Sequence, residues 1–356
     1  MAFNPFRLFF PKKMLGIDIG TSSIKIVELS RWGGGRTLEN YGEIQSAALF
    51  KEPLRTAGRG SYSLSATFIS KAINAILDEA RIKTKAAIFS IPDYSTFFVS
   101  FDLPPMEEKE IAEAVRFNAP QYIPLPISET TLDWKVISGV PGNKRSSLKV
   151  LVIAIANQVV QEYQRVAQMA GLELYALEAE ALSATRSLVR DTEKTICVID
   201  IGVQSTTVNI VDRGVLKKSY SFDFTTGNQL TFAVASALDK GYLEADDIKN
   251  KSGLLSADKS VKDTLYLLID PLISEIRKIS NEFIQYENRE IEEIYLTGGT
   301  ANLPGLKEYF KEVFKKEVRV PNCVSDFLYP PILDKSLVEM SPRFSVAVGV
   351  AMQGLE

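Results

Sequence analysis

Residues 15–29 read LGIDIGTSSIKIVEL, and residues 196–211 read ICVIDIGVQSTTVNIV. Each stretch is an apolar, strand-like run that ends in Asp-Ile-Gly, turns through small residues and continues as a second strand-like run. Asp18 and Asp200 occupy equivalent positions in the two stretches. We interpret the pair as an internal repeat at the scale of a domain, with one β-hairpin in each half of the chain, and place the division near residue 193.

The composition of the two turns indicates a site for phosphate. A turn of Gly, Thr and Ser exposes backbone N–H groups without side-chain bulk, and its hydroxyls add further donors. Asp18 and Asp200 would repel the phosphates unless a cation lies between them, and Mg²⁺ prefers carboxylate and phosphate oxygens and retains most of its waters. We therefore predict that both Asp residues hold a hydrated Mg²⁺. For either stretch alone, a plain hairpin turn with an exposed Asp is the alternative.

A third glycine-rich stretch, GGTANLPGL at residues 298–306, follows a short apolar run and begins a helical pattern. Glycine lets the backbone approach a purine and a ribose where a side chain would clash. Together with the two hairpins, this stretch predicts a nucleotide site. Taken alone, it is equally a loop before a surface helix.

Composition excludes several classes of function. The chain has 356 residues, no histidine, two cysteines and a formal net charge of -3. The lack of histidine excludes Ser-His-Asp and Cys-His nucleophiles and the usual histidine metal sites. The acidic balance argues against a nucleic-acid partner, which needs a basic face. Two distant cysteines are typical of a reducing compartment.

These motifs resemble the nucleotide-binding elements of the actin/Hsp70/sugar-kinase superfold, an α/β, ribonuclease-H-like, two-lobed fold. Within it the chain resembles the PilM family of type IV pilus assembly. The most specific segment is residues 106–137, MEEKEIAEAVRFNAPQYIPLPISETTLDWKVI. Its order of helix, QYIPLP and LDW resembles the extra subdomain 1C that PilM shares with the division protein FtsA. Further matches are residues 170–188, 222–231 and 296–310.

The resemblance implies a domain organisation. Residues 1–193 would form lobe 1, which is subdomain 1A with subdomain 1C inserted at about 98–165. Residues 194–340 would form lobe 2, which is subdomain 2A with 2B at about 228–290. Residues 341–356 would form a C-terminal helix that returns to lobe 1.

The resemblance also implies that ATP or ADP binds with Mg²⁺, at positions that match the motifs of the family. The positions are Asp18, Gly20, Thr21, Ser22, Ser23 and Lys25 in the first phosphate motif, Asp200, Gly202, Ser205 and Thr206 in the second, Gly298, Gly299 and Thr300 in the adenosine motif, and Asp246 and Lys249 in the ribose-contacting helix.

Two further positions, Gly227-Asn228 and Glu180, each have more than one interpretation. The family usually has a Gly-Gly pair where this chain has Gly227-Asn228. Asn tolerates a positive φ better than most residues, so we keep Gly227 as a nucleotide contact. Glu180 falls where related ATPases place an acid that orients a water, and a capping or surface role is its alternative. Hydrolysis, if it occurs, would be slow.

The family implies a partner, the cytoplasmic N-terminal peptide of the inner-membrane protein PilN, which docks between subdomains 1A and 1C. Phe117, Tyr122 and Ile123 are candidate contacts, with core packing as the alternative. Pilus motor ATPases, regulatory domains and a second copy of the chain are further candidate partners. The expected location is the cytoplasmic face of the inner membrane. The Phe-rich segment at residues 1–13 is either a frayed leader or a weak membrane-surface contact.

Three functions compete. The first is an ATP-binding scaffold of the pilus assembly complex. The second is a polymerising division or shape protein like FtsA, although FtsA typically ends in an amphipathic membrane-targeting helix and this chain ends in SVAVGVAMQGLE. The third is a small-molecule kinase, for which the sequence offers no separate sugar-binding motif.

Overall fold

The computed structural model of the chain describes residues 12–45, 65–143 and 145–356. The strands are β1 (Lys12–Ile19), β2 (Ser23–Trp32), β3 (Gly35–Gln45), β4 (Ala86–Ile91), β5 (Thr96–Leu103), β6 (Thr130–Ser138), β7 (Leu148–Ala156), β8 (Glu173–Ala179), β9 (Thr195–Ile201), β10 (Thr206–Asp212), β11 (Val215–Phe222), β12 (Glu293–Thr297) and β13 (Glu317–Arg319). The α-helices are α1 (Ala66–Glu79), α2 (Glu108–Asn118), α3 (Asn157–Met169), α4 (Glu180–Leu188), α5 (Gly227–Leu238), α6 (Tyr242–Ser252), α7 (Lys259–Glu287), α8 (Leu306–Phe314) and α9 (Asp334–Gln353).

The chain divides into two compact units. Unit 1 consists of Met1–Ser187, Val324–Lys335 and Val346–Glu356, and unit 2 of Leu188–Cys323 and Ser336–Ser345. The lobe and subdomain boundaries expected from the resemblance stay predictions. The Phe-rich residues up to position 11 lie outside the described residues, and so does their expected membrane contact. Among the helices of the described ranges, none combines the length and the apolar character needed to cross a membrane.

The large sheet of unit 1 has the strand order β3-β2-β1-β4-β8. Strands β1, β2 and β3 pair antiparallel, whereas β1, β4 and β8 pair parallel. Apolar residues of α1 and α3 pack with those of the sheet in one core. At its centre the rings of Phe89 and Tyr163 meet edge to face at 6.2 Å between centroids, a favourable aromatic geometry.

Unit 1 also contains a three-stranded antiparallel sheet of order β5-β7-β6. Helix α2 covers it through Ile111 and Val115, which pack with Val150 and Val152 of β7. A capping box between Glu107 and Glu110 starts α2, since each side chain accepts from the other's backbone N–H. The segment 106–137 therefore forms a helix, a proline-containing turn and an edge strand.

The sheet of unit 2 has the order β11-β10-β9-β12-β13. Its first three strands pair antiparallel, and β9, β12 and β13 pair parallel. This is the arrangement of the large sheet in unit 1, with β9 in the place of β1 and β10 in the place of β2. The internal repeat predicted from the two Asp-Ile-Gly stretches is therefore confirmed, because both stretches form the central hairpin of an equivalent sheet.

The C-terminal part of α9 belongs to unit 1 and packs there by direct backbone contact. A Cβ atom added to Gly349 would lie 1.9 Å from the carbonyl oxygen of Ser183 in α4. A Cβ atom added to Gly16 of β1 would lie 2.0 Å from the carbonyl oxygen of Ala347. Both glycines are therefore required for α9 to lie this close to β1 and α4.

We expect Gly349→Ala to lower the free energy of unfolding by about 3 kcal/mol, because the added methyl group meets backbone atoms that cannot rotate away. Gly34→Ala is the control, since a Cβ atom there has no neighbour within 4 Å and the change should stay within about 0.5 kcal/mol. Urea and thermal unfolding measure both. Equal stability of the two variants would contradict the close packing of α9.

Candidate functional site

The turn of the first hairpin lies in unit 1 at the end of β1. The N–H of Gly20 donates to the carbonyl oxygen of Ser23 at 3.0 Å and closes the turn. Thr21 and Ser22 lie half-buried at its tip, and Ser23 is buried. The turn therefore presents small polar residues at the end of a fixed strand, as the sequence predicted.

Asp18 is buried directly beneath this turn, with 5% of its surface exposed. Its Oδ2 accepts from Lys25 Nζ at 3.2 Å, and its Oδ1 accepts from the hydroxyl of Ser90 on β4 at 2.9 Å. Lys25 is itself buried, so two opposite charges offset one another away from water. Both carboxylate oxygens thus have protein partners.

Glu180 is the first residue of α4 and takes part in a reciprocal pair of hydrogen bonds. Its Oε2 accepts from the backbone N–H of Asp93 at 3.3 Å, and Asp93 Oδ1 accepts from the backbone N–H of Ala181 at 3.1 Å. Asp93 thereby satisfies an N–H at the start of α4 that has no partner within the helix. The structure gives Glu180 this capping contact, and its role toward a water molecule stays a prediction.

The second hairpin turn, in unit 2, repeats the first. The N–H of Gly202 donates to the carbonyl oxygen of Ser205 at 2.9 Å. Ser205 is half-buried, whereas Thr206 is fully buried and donates its hydroxyl to the carbonyl oxygen of Thr225 at 2.9 Å. Of the two predicted hydroxyl contacts, only Ser205 lies at the surface of the turn, and Thr206 serves to hold the segment before α5.

The start of α5 lies against this second turn. The N–H of Gly227 donates to the carbonyl oxygen of Gly202 at 2.8 Å, and that of Asn228 donates to Val203 at 3.0 Å. A Cβ atom at Gly227 would lie 3.1 Å from Thr300 Oγ1. Asn228 has a negative φ, since it is helical. The first position of the Gly227-Asn228 pair therefore has little room for a side chain, and the second position requires no positive φ.

The third glycine-rich stretch follows β12 and contacts Asp200. Gly298 has φ +87, and a Cβ atom on it would lie 2.3 Å from Asp200 Oδ1. The N–H of Thr300 donates to the carbonyl oxygen of Ile201 at 3.2 Å. A Cβ atom on Gly299 would face open space. Gly298 is thus required by the fold, and Gly299 is the glycine that leaves room for a ligand.

Asp246 and Lys249 form a polar cluster beneath the start of α5. Lys249 is 5% exposed, and its Nζ donates to Asp246 Oδ1 at 2.7 Å, to Thr231 Oγ1 at 2.6 Å and to the carbonyl oxygen of Gly227 at 3.4 Å. Burial alone would raise the pKa of Asp246, but the hydrogen bonds and charge of Lys249, with the bonds from Thr231 and Asn250, hold that pKa below its ordinary value. The cluster fixes α6 to the first turn of α5.

Thr225, which lies between the second turn and α7, was not among the site residues predicted from the sequence. Thr225 is 1% exposed and has φ +54, a conformation that β-branched residues rarely adopt. Its hydroxyl donates to the carbonyl oxygen of Leu268 at 2.6 Å, near Pro271 in the middle of α7. Ser90 and Asp93 were also missed. A polar residue inside the apolar strand AAIFSI was the only signal for Ser90.

The three candidate partner residues differ in exposure. Phe117 is 79% exposed and Tyr122 is 50% exposed, with the Tyr122 ring stacked on Phe101 at 5.1 Å. Ile123 is 5% exposed and packs with Ala119 in the core of the small sheet. Ile123 therefore offers almost no surface to a partner, and the packing alternative holds for it.

The two equivalent sheets, each with a turn at the end of its central hairpin, define the class of protein, which is an actin-like α/β fold. Solved structures agree with this class. The PilM–PilN type IV pilus biogenesis complex aligns with a TM-score of 0.83 at 24% identity, covering 96% of this chain and 98% of that chain. MreB5 of Spiroplasma citri bound to ADP aligns with a TM-score of 0.51 at 14% identity, covering 92% and 98%.

The chain belongs to the family described as type IV pilus assembly protein PilM, whose sequence profile matches residues 16–355. Among curated proteins, it is similar to the cell division protein FtsA of Pseudomonas aeruginosa, with 24% identity over 390 residues that cover 97% of this chain and 90% of the relative. The similarity to FtsA of Escherichia coli K12 is 24% over 251 residues and spans 57% of that relative's length.

The charge of Asp246 leads to a prediction of how the stability of the fold depends on pH. Because its pKa is lowered in the folded state, the ionised carboxylate stabilises the fold above the unfolded pKa of about 3.9, and this contribution is lost as the pH falls through the lower, folded pKa. We expect Asp246→Asn to melt below the wild type at neutral pH, with a difference that closes below about pH 4.

Asp247→Asn is the matched control for this experiment, since Asp247 lies on the same helix and pairs with Lys251 at the exposed surface. Its melting temperature should follow that of the wild type at every pH. A difference for Asp246→Asn that does not change with pH, or an equal difference for Asp247→Asn, would contradict the role of the buried pair.

Proposed function

We propose that this chain is an ATP- or ADP-binding scaffold of the type IV pilus assembly complex that binds the N-terminal cytoplasmic peptide of a PilN-like inner-membrane protein. The observation that carries the proposal is the match to the PilM family over residues 16–355. Through this partner the chain is held at the cytoplasmic face of the inner membrane. Pilus motor ATPases and regulatory domains are further candidate partners of the chain.

The turns described above support nucleotide binding. Each unit places a turn of small residues beside an Asp, which is buried in unit 1 (Asp18) and half-buried in unit 2 (Asp200), and unit 2 adds the open position at Gly299 next to Thr300. MreB5, which has the same fold, was solved with ADP. Among the described residues, no group of three or more Cys, Asp or Glu side chains could hold a metal alone. Mg²⁺ would therefore be bound by nucleotide phosphates and by water molecules, and Asp18 and Asp200 would contact those waters.

The small sheet of unit 1 and the neighbouring helix α2 supply the proposed peptide site. Phe117 on α2 and Tyr122 just after it are large apolar side chains with half or more of their surface exposed. Large exposed aromatic residues are typical anchors of protein interfaces. Ile123 supports this surface from within the core.

Binding of the PilN-like peptide is the experiment that tests the proposal. A labelled peptide from the organism's own PilN-like protein is titrated with the chain and followed by fluorescence anisotropy, with and without Mg²⁺–ATP. We expect saturable binding that is weakened at least about tenfold by Phe117→Ala, because truncation of a central aromatic anchor costs this much. Tyr175→Ala is the control, since Tyr175 is 59% exposed on β8 of the same unit.

Absence of saturable binding, or equal binding of a scrambled peptide, would overturn the partner assignment. Similarity to FtsA over 97% of the chain favours a second candidate, a protein that polymerises. Sedimentation of the chain with Mg²⁺–ATP would then test filament formation. No observation in the structure favours the small-molecule kinase.

Nucleotide binding has a separate test in thermal stability. At a nucleotide concentration about 100 times the Kd, binding to the folded chain alone should add about 2.7 kcal/mol to its stability and raise the melting temperature by a few degrees. Asp200→Ala should remove this rise because it removes the carboxylate beside Gly298. Asp263→Ala, an exposed acid on α7, should keep it. A full rise in Asp200→Ala would show that nucleotide binds without this carboxylate.

A further inference from the structure

Two large apolar side chains lie exposed at one end of the large sheet in unit 1. Trp32 is 73% exposed and Leu328 is 66% exposed. We refer to these two residues as the hairpin patch. Neither of them belongs to the nucleotide motifs or to the candidate peptide site, and large apolar groups gathered at one surface mark an interaction site.

The fold fixes the hairpin patch at the turn between β2 and β3. Trp32 is the last residue of β2, and the Gly33-Gly34 turn follows it. Leu328 is held on the outer edge of β3, where it forms a parallel bridge with Thr37. A Cβ atom on Gly35 would lie 3.9 Å from Leu328 Cδ1. Trp32 and Leu328 therefore flank a stretch of glycines, and Trp32 is the one large side chain on the turn.

A row of basic residues crosses the same end of the sheet. Lys12 pairs with Arg31, and Arg31 pairs with Arg36 on the next strand. Arg31 also donates to the carbonyl oxygen of Leu355 at 3.0 Å, which anchors this row to the end of α9. The neighbouring charged residues include Lys13, which pairs with Glu39. Along the chain, Asp326, Asp334 and Lys335 lie close to Leu328 and Glu356 follows Leu355; Asp334 accepts from Tyr329 and Glu356 pairs with Arg186.

We propose that the hairpin patch contacts the surface of a membrane that contains anionic phospholipids, with Trp32 at the level of the headgroups. Tryptophan favours this interface because it combines an apolar ring with an N–H donor. The row of Lys and Arg residues is attracted to the negative surface potential of such a membrane. A stable protein interface buries about 800 Å² on each partner. The turn beside Trp32 is narrow and carries three glycines, so it offers little area to a protein partner, and we favour a membrane surface as the occupant.

The two tryptophans of the chain allow a direct test, because Trp134→Phe leaves Trp32 as the sole tryptophan, which excitation at long wavelength selects over tyrosine. Trp134 is half-buried on β6, so phenylalanine replaces it without opening the core. With vesicles of phosphatidylglycerol and phosphatidylethanolamine, we expect the emission of Trp32 to shift to shorter wavelength and to be quenched by brominated lipid. Unchanged emission at saturating lipid would overturn the proposal.

Vesicle flotation of the full chain provides the second measurement. We expect Trp32→Ser to lower the partition coefficient about tenfold, since a single interfacial anchor supplies much of such binding. Leu243→Ser is the matched control, because Leu243 is 79% exposed on α6 of unit 2, and it should float like the wild type. A variant that lacks residues 2–11 should also float.

The proposal is overturned if Trp32→Ser floats like the wild type, if flotation depends only on residues 2–11, or if neutral phosphatidylcholine vesicles bind equally well. These measurements contain neither nucleotide nor peptide. Their failure therefore leaves the proposed scaffold function untouched, and failure of the peptide experiment leaves the membrane contact untouched.

Discussion

The backbone of Gly202 makes the two hydrogen bonds on which the candidate site of unit 2 depends. Its N–H closes the second turn on Ser205, and its carbonyl oxygen accepts from Gly227 at the start of α5. Thr300 joins the same region through the carbonyl oxygen of Ile201. Three chain segments meet here backbone to backbone. Glycine is required at Gly298, where an added Cβ atom would lie 2.7 Å from the carbonyl oxygen of Ile201, and the space at Gly227 is tight.

Thr225 shows that this arrangement is held under strain. A non-glycine residue in the left-handed region costs about 1–3 kcal/mol and persists only where its surroundings fix it. Here the hydroxyl of Thr206 and the carbonyl oxygen of Leu268 fix it from two sides. Pro271 cannot donate to the carbonyl oxygen of Leu267, so the helical hydrogen bonds of α7 are interrupted next to Leu268. The second turn, the start of α5 and the middle of α7 thus form one connected structure.

The sequence predicted the repeat, the turns and the glycine-rich stretch because these depend on local patterns of apolar residues and glycines. It did not predict which groups the polar side chains contact. Lys25 and Thr206 were both expected to face phosphate, yet one is paired with Asp18 and the other is turned toward Thr225. Ile123 was a candidate partner contact with core packing as the alternative, and it lies in the core. Such outcomes depend on strands and helices that are distant in sequence.

Asp18 and Glu180, two acids of the candidate site in unit 1, make hydrogen bonds that hold the fold. Asp18 is paired with Lys25, and Glu180 accepts a hydrogen bond from the backbone of Asp93. The contact between Asp18 and Lys25 places two opposite charges away from water, so removal of either partner would leave the other charge uncompensated. In the proposed scaffold, nucleotide would act through a difference in its affinity for two conformations of the chain.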